Sequence, residues 1–406
     1  MEQAEEILDM AKAESLEISD KEEILTPKEL EEKTRDAVFE DALTFESSGT
    51  SGEPKRIPYA TENLEKQKIH EKKAFQIGGM TEEDVVMTLG APLNSISGWA
   101  SRSGSRKLGA EVLNRSFNDY RNVIKSRENK DVTAIFATPL VAKAIGEEIE
   151  EEFENPENIF PGMSKGFMFG DLLPENLKQD LKNQWGFNQL RSLYGTVEAD
   201  VIAIEDETGK LVPMIDRLVI EILPYENGEK KQEPVDIREI EDETKGSILI
   251  SDPEREKIEL TRYEIGDIIR VYPGDPVPRI EVLGREDNTI NLGGAPLYEN
   301  ELHKALVDTY GSRVTDWKAL VSRENSKPAL DLFVVGQIQE EKEKFLENLF
   351  ERAPPVKEAY SDVGSGIIDH IDIHVRHDEE EIRSEISSEK IENDVKSDRI
   401  IFGKSF

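Results

Sequence analysis

The sequence predicts an α/β protein: a large N-terminal unit of mixed sheets and helices, over residues 1–286, and a small C-terminal α+β unit, over residues 287–406. Three observations carry that expectation. Two strand-then-helix units stand in tandem between residues 131 and 185, the alternation of an α/β layer. Three strand-like runs separated by acidic turns follow between residues 217 and 272, so a β-rich part adjoins the layer. Beyond residue 298, helix and strand patterns alternate on a smaller scale.

At 406 residues the chain can bury a substantial core, and two unequal domains fit that length. Its 86 acidic and 51 basic residues leave a formal net charge of -35, which argues against sequence-independent binding to nucleic acid or to an anionic membrane. Any nucleotide site must therefore be locally positive. An acidic surface of this kind suits a high-salt cytoplasm, where charge repulsion is screened and hydrated carboxylates keep the chain dispersed. Cysteine is absent, which excludes disulfides, thiolate catalysis and cysteine-ligated zinc. The N-terminus, MEQAEEILDMAKAE, lacks the basic and apolar regions of a signal peptide, and no run of about 18 apolar residues occurs. The expected compartment is the cytoplasm.

Taken in order, residues 1–44 are charge-rich with scattered helical periodicity at Ile7, Met10 and Ala11, and predict short helices. The stretch from Phe45 to Tyr59, FESSGTSGEPKRIPY, then interleaves Ser47, Ser48, Thr50 and Ser51 with Gly49 and Gly52 and ends in Lys55. Such a run lets the backbone turn tightly and aim several N–H groups into one concavity, with Lys55 adding a mobile positive charge. It is not the GxxxxGK[ST] loop, because Gly49 and Gly52 stand three apart and Pro54 precedes the lysine. Read alone, it suits an anion cradle and a flexible linker equally.

Glu62 to Ile77 predicts a helix and Asp84 to Leu89 a short buried strand, after which PLNSISGWASRSGS reads as a loop. Asp131 to Ala137 is strand-like, and Thr138-Pro139 supplies an N-cap and a first-turn proline for a helix carrying Leu140, Ala144 and Ile145 on one side. Lys165 to Phe169 is the next strand, and Pro174 opens a helix with Leu177, Leu181 and Trp185 spaced by four. LRSLYGTVEAD gives a strand ending at Tyr194-Gly195, with Thr196 and Glu198 just beyond. The runs 217–223, 246–250 and 268–272 are strands, and TRYEIGD (Thr261 to Asp267) lies between the last two. In the C-terminal part, Glu299 to Tyr310 predicts a helix capped by Gly311, Trp317 to Ser322 and Leu330 to Val335 strands, and Gln339 to Arg352 a helix. From Ile367 the chain alternates, with Ile371, Ile373 and Val375 on one face and His370, Asp372, His374 and Arg376 on the other. Two histidines without a third ligand of defined position read as a solvated face, not a metal site.

Four of these segments, in this order, resemble the acyl-adenylate-forming superfamily, which includes the acyl-CoA synthetases, luciferases and peptide-synthetase adenylation domains. Ser47 to Lys55 is similar to its phosphate-binding loop, YGTVE to its YGxTE motif, RYEIGD to its YRTGD signature, and LGREDNTINLGG (Leu283 to Gly294) to its hinge segment. The resemblance covers roughly residues 45 to 400 and is nearest in style to the phenylacetate-CoA ligase group; GREDNTINLGG is also similar to the plant acyl-acid-amido synthetases.

The resemblance implies a fold, a reaction and a set of roles. The large unit would be the adenylate-forming domain and the small one a mobile lid. A carboxylic acid would attack the α-phosphate of ATP, giving an acyl-adenylate and pyrophosphate, and the acyl group would then pass to coenzyme A. Ser47, Ser48, Gly49, Thr50, Ser51, Gly52 and Lys55 would cradle phosphates; Tyr194 and Gly195 would lie by the adenine; Thr196 would contact the α-phosphate; and Glu198 would bind Mg²⁺. Val197 stands where relatives have Thr or Ser. Asp267 would hold both ribose hydroxyls, Arg285 ribose or phosphate, Asp287 would be the hinge, and Gly293-Gly294 would face the second substrate. Lys396, in VKSDRII, is the implied catalytic lysine, with Lys404 as its rival; the glycine that precedes this lysine in relatives is absent. Trp99 stands where relatives wall the carboxylate pocket, and also suits an ordinary half-buried tryptophan. Three other outcomes stay open: transfer to an amine or protein, adenylation for a carrier without thioester formation, and a non-catalytic nucleotide-binding scaffold. The oligomeric state stays open between monomer and homodimer.

Overall fold

The computed structural model describes residues 18, 23–46, 55–89, 95–113, 131–153, 155–170, 173, 175–226, 229–292, 295–324, 327–336, 338–361, 367–378, 381–382 and 400–402. Ile7, Met10 and Ala11 lie outside them. Helix α1 (Pro27–Thr34) begins at the Thr26 capping box with Glu29 and precedes a hairpin of β1 (Ala42–Glu46) and β2 (Arg56–Ala60).

A parallel block follows. Strands β3 (Val85–Thr88), β4 (Glu111–Leu113), β5 (Ala134–Ala137), β6 (Lys165–Phe169) and β7 (Gln189–Thr196) lie side by side in the order β4-β3-β5-β6-β7. Their alternating side chains feed two cores, as period-two geometry requires. Val86, Ala134, Phe136 and Phe167 face one side, packed with Ala74 and Phe75 of α2 (Thr61–Ile77) and with Ile96 and Leu108 of α3 (Ile96–Leu108). Met87, Ile135, Ala137 and Met168 face the other. There they meet Ala142, Ile145 and Ile149 of α4 (Pro139–Glu152), Ile159 of the one-turn α5 (Pro156–Ile159), and Leu181 and Trp185 of α6 (Glu175–Trp185). Thr138 caps α4 as the sequence suggested, its hydroxyl accepting from the Val141 N–H.

Helix α3 corrects the expectation of a loop. Its serines and glycines carry little helical propensity, but Ser95 caps the start by accepting from the Gly98 N–H, and Gly109, in the left-handed region at φ 112°, closes the end. Gly104 lets α3 lie against α2: a Cβ there would stand 2.5 Å from the Phe75 ring and 2.6 Å from Glu71 Cβ. Packing overrides local preference.

From β7 the sheet turns antiparallel through β8 (Asp200–Glu205) and β9 (Leu211–Pro213). It continues through the later strands β10 (Val219–Glu226), β13 (Thr244–Asp252), β14 (Leu260–Tyr272) and β15 (Arg279–Arg285), with β15 beside β9. Short strands β11 (Glu229–Lys230) and β12 (Val235–Asp236) pair with β10. TRYEIGD is therefore not an interval between strands but the first half of the long β14, irregular where Arg262 (φ 44°) and Gly266 (φ 87°) depart from extended geometry.

After a small hairpin, β16 (Ile290–Leu292) and β17 (Ala295–Leu297), the chain builds a separate core. Helices α7 (Glu299–Tyr310), α8 (Lys342–Arg352) and α9 (Pro354–Ser361) pack with a four-stranded sheet ordered β20-β19-β18-β21. Its strands are β18 (Val314–Glu324), β19 (Lys327–Gly336), β20 (Ile371–Arg376) and β21 (Ile400–Phe402). Polar links join α7 to the large sheet: Glu301 accepts from Lys245 (2.6 Å) and Arg270 (3.0 Å), and Asn300 donates to the Val282 carbonyl (2.9 Å).

Candidate active site

The residues singled out on β7, β14 and β15 converge where the parallel block gives way to antiparallel strands. Asp267 pairs in register with Arg285 on the neighbouring strand, and Arg285 Nη1 donates to Asp267 Oδ1 (3.2 Å) and to the Ile265 carbonyl (3.0 Å). Gly266 makes that approach feasible: a Cβ there would come within 3.0 Å of Arg285 Nη2. From β7, Tyr194 donates its hydroxyl to the other Asp267 oxygen at 2.6 Å. Burial pushes the Asp267 carboxyl above the usual carboxylate range, against the opposing pull of Tyr194 and Arg285. Burial, and then the Asp267 charge, push the Tyr194 phenol well up, so it stays a donor.

A second cluster adjoins the first. Glu198 sits in the turn between β7 and β8, buried, and its Oε1 accepts from Tyr263 OH (2.9 Å) and from Lys55 Nζ (3.2 Å). Lys55 Nζ also lies 3.2 Å from the Tyr263 oxygen. Lys55 immediately precedes β2, and the loop Ser47 to Gly52 lies outside the described residues. The two clusters form one field, because Tyr194 feels the charge of Glu198 and Tyr263 those of Arg285 and Asp267.

Supporting contacts hold the Glu198 turn. Gly195 has room for no side chain, since a Cβ would stand 2.2 Å from the Asp200 carbonyl oxygen. Thr196 Oγ1 accepts from the Ala199 N–H (3.2 Å), and Tyr59 OH donates to the carbonyls of Val197 (2.9 Å) and Glu198 (3.2 Å). Burial raises the Tyr59 phenol to about 12, and the Arg255 guanidinium lies 3.4 Å from its ring centroid. Val197 packs against the main core, consistent with an apolar residue there.

Sequence reasoning missed Tyr263, although the alternation of RYEIGD put it on the same side as Asp267. Its placement is set by Arg262, whose guanidinium makes a two-pronged pair with buried Glu221 (2.9 Å and 2.9 Å) while its backbone N–H donates to Ser251 Oγ (2.7 Å). Arg285 Nε also reaches Asp287 at 3.4 Å. Trp99 is half-buried on α3, packed on the main core with Lys68 Nζ 6.0 Å from its ring centroid. Gly293, Gly294, Lys396 and Lys404 lie outside the described residues.

Residues 2–254 match the family model described as AMP-binding enzyme. A phenylacetate-coenzyme A ligase of Pseudomonas putida is 22% identical over 269 residues, 64% of this chain and 58% of that relative, so the chain matches little more than half of its length. Among solved structures, an open conformation of 2-hydroxyisobutyryl-CoA ligase in complex with 2-HIB-AMP and CoA superposes with a TM-score of 0.63 at 15% identity, covering 93% of this chain and 81% of that one. The same ligase in the postadenylation state gives 0.64 at 15% identity, over 95% and 90%. ATP-bound MatB from Rhodopseudomonas palustris gives 0.58 at 14% identity, over 82% and 64%. These likenesses establish the shared fold.

Proposed function

The chain belongs to the AMP-binding enzyme family, and from that premise we propose that it activates a carboxylic acid with ATP to an acyl-adenylate and then passes the acyl group to coenzyme A. The observation that carries this reading is the meeting of Lys55, Tyr194, Glu198, Tyr263, Asp267 and Arg285 in one charged cluster.

In this reading Asp267 is the ribose anchor. Each of its oxygens already accepts one donor, Tyr194 or Arg285, and each keeps a lone pair for a ribose hydroxyl. Lys55 would leave Glu198 for the polyphosphate, with the loop Ser47, Ser48, Gly49, Thr50, Ser51 and Gly52 beside it. Thr196 accepts from Ala199 through oxygen, which leaves its own hydrogen to donate toward the α-phosphate. Glu198 has the chemistry for Mg²⁺, since a carboxylate is a hard donor and its Oε2 has no protein hydrogen bond among the described residues. When bound, Mg²⁺ supplies neutralisation of charge on the transferring group. Tyr194, Arg285 and Lys55 orient and stabilise without covalent chemistry.

The lid would begin at Asp287, whose pair with Arg285 spans the proposed hinge, and would bring Lys396, or its rival Lys404, to the reacting centre before turning to admit coenzyme A. Phenylacetate and other aryl acids are the first substrates to test, given the relative named above. Soluble small-molecule substrates and a cytoplasmic setting belong to the same reading; among the described residues no helix is long and apolar enough to cross a membrane.

The test is pyrophosphate release from Mg-ATP over a panel of aryl and fatty acids, with and without coenzyme A, at low and high KCl. Acid-dependent release stimulated by coenzyme A is expected. Release indifferent to coenzyme A would move the acceptor to an amine or a protein, and tight ATP binding with no release under any condition would make the chain a nucleotide-binding scaffold.

A further inference from the structure

On the polar face of the four-stranded sheet, the tertiary structure brings carboxylates from two neighbouring strands to His370, which the sequence had left without partners of defined position. Asp331 of β19 lies in register with Asp372 of the parallel neighbour β20, and His370, Asp372 and His374 follow on alternate positions of that same face. Ligand atoms of Asp331, His370 and Asp372 all lie within 4.8 Å of one another. We propose that Asp331, His370 and Asp372 form a binding site for a divalent transition-metal ion of the zinc or nickel class.

The surroundings favour ligation independently of the spacing. His370 Nδ1 stands 3.1 Å from Asp369 Oδ2, and its Nε2 points toward Asp331 Oδ2 at 3.4 Å. A carboxylate on one ring nitrogen fixes the tautomer that offers the other as a lone pair, as in carboxylate–histidine–zinc arrangements. His374 Nε2 meets the second Asp331 oxygen at 2.7 Å and its ring stacks on Phe333 at 5.0 Å, which holds the Asp331 carboxylate in place. Asp331, Asp369 and Asp372 bring three carboxylates to this patch, against two cations among the described residues, Lys342, which pairs with Asp372, and Arg376, whose guanidinium lies over the Phe333 ring. With neutral imidazoles a negative excess remains. Imidazole plus carboxylate selects zinc or nickel over magnesium, and ligand atoms around a tetrahedral ion with bonds of ~2.1 Å stand about 3.4 Å apart. Small side-chain rotations, with Lys342 swinging off Asp372, close the set. The competing arrangement is a self-contained network in which the histidines only hydrogen-bond Asp331.

The deciding experiment is calorimetric titration of EDTA-treated full-length protein with ZnCl₂ and NiCl₂, in excess Mg²⁺ and high KCl so that scattered surface carboxylates are saturated or screened. One equivalent of zinc is expected to bind. Asp331→Asn and His370→Gln should each weaken it by roughly tenfold or more, Asp369→Asn by about ten- to a hundredfold, and Lys342→Ala should tighten it. Circular-dichroism melts verify that each variant is folded. Absence of stoichiometric binding by the wild type, or unchanged binding in folded Asp331→Asn and His370→Gln, overturns the proposal.

Discussion

Tyr194 donates its hydroxyl to Asp267 across 2.6 Å, joining two motifs 73 residues apart. The phenol orients the carboxylate before any ligand arrives, so the two side chains should fail in graded fashion. Asp267→Ala is expected to raise the ATP requirement, lowering kcat/KM for ATP by roughly ten- to a hundredfold, the worth of about 1.5–3 kcal/mol in hydrogen bonds to a charged group. Tyr194→Phe keeps the ring and loses one donor, and should cost less. Pyrophosphate-release kinetics at varied ATP measure both; wild-type constants in Asp267→Ala would remove it from the nucleotide site.

Glu198 and Lys55 make separable predictions although they touch. Glu198→Gln retains an acceptor for Tyr263 but loses the charge, so the Mg²⁺ concentration for half-maximal release should rise by roughly tenfold with little change in fold. Lys55→Ala should instead lower kcat/KM for ATP at saturating Mg²⁺, again by about ten- to a hundredfold. A common Mg²⁺ response in the two variants would contradict these assignments.

Glu71 lies fully buried on α2, its Oε1 without a donor and its Oε2 accepting from Ser103 Oγ at 3.0 Å. Burial, and next the nearby Asp200 charge, raise its carboxyl well above 4.5. Between 4.5 and that raised value the folded chain holds more protons than the unfolded one, so this group's contribution to stability is full below 4.5 and is lost as pH rises. Glu71→Gln removes the dependence. Urea midpoints measured from about pH 5 to about pH 8 should show the variant gaining on the wild type as pH rises; a constant gap would mean Glu71 titrates normally.

Gly104→Ala tests the contact between α2 and α3. The added methyl meets Phe75 and Glu71 at 2.5 and 2.6 Å, an overpacking cost of about 1–3 kcal/mol against a helix-propensity gain of about 1 kcal/mol. With contacts this short the upper part of that cost applies, so a net loss of up to about 2 kcal/mol is expected in urea denaturation. Unchanged or raised stability would show that the two helices can part at no cost.

Much of the fold was legible because its cues are local. Strand β6 and helix α7 fall where period and flanking residues put them, and Thr138-Pro139 opens α4. The polar face of β20 was readable from alternation alone, but not Asp331, which arrives from a neighbouring strand. Helix α3 was illegible, since a segment rich in Ser and Gly reads as a loop until Gly104 is seen lying against Phe75.

By itself the sequence determined the α/β alternation, the acidic surface and the order of four motifs, because each depends on residue types and their spacing along the chain. Only the tertiary structure decided that Tyr194 meets Asp267, that Tyr263 bridges toward Lys55 and Glu198, and that Asp331 joins His370. Those contacts depend on strand order and on irregularities such as those at Arg262 and Gly266, which are fixed by packing across the sheet and not by neighbours in sequence.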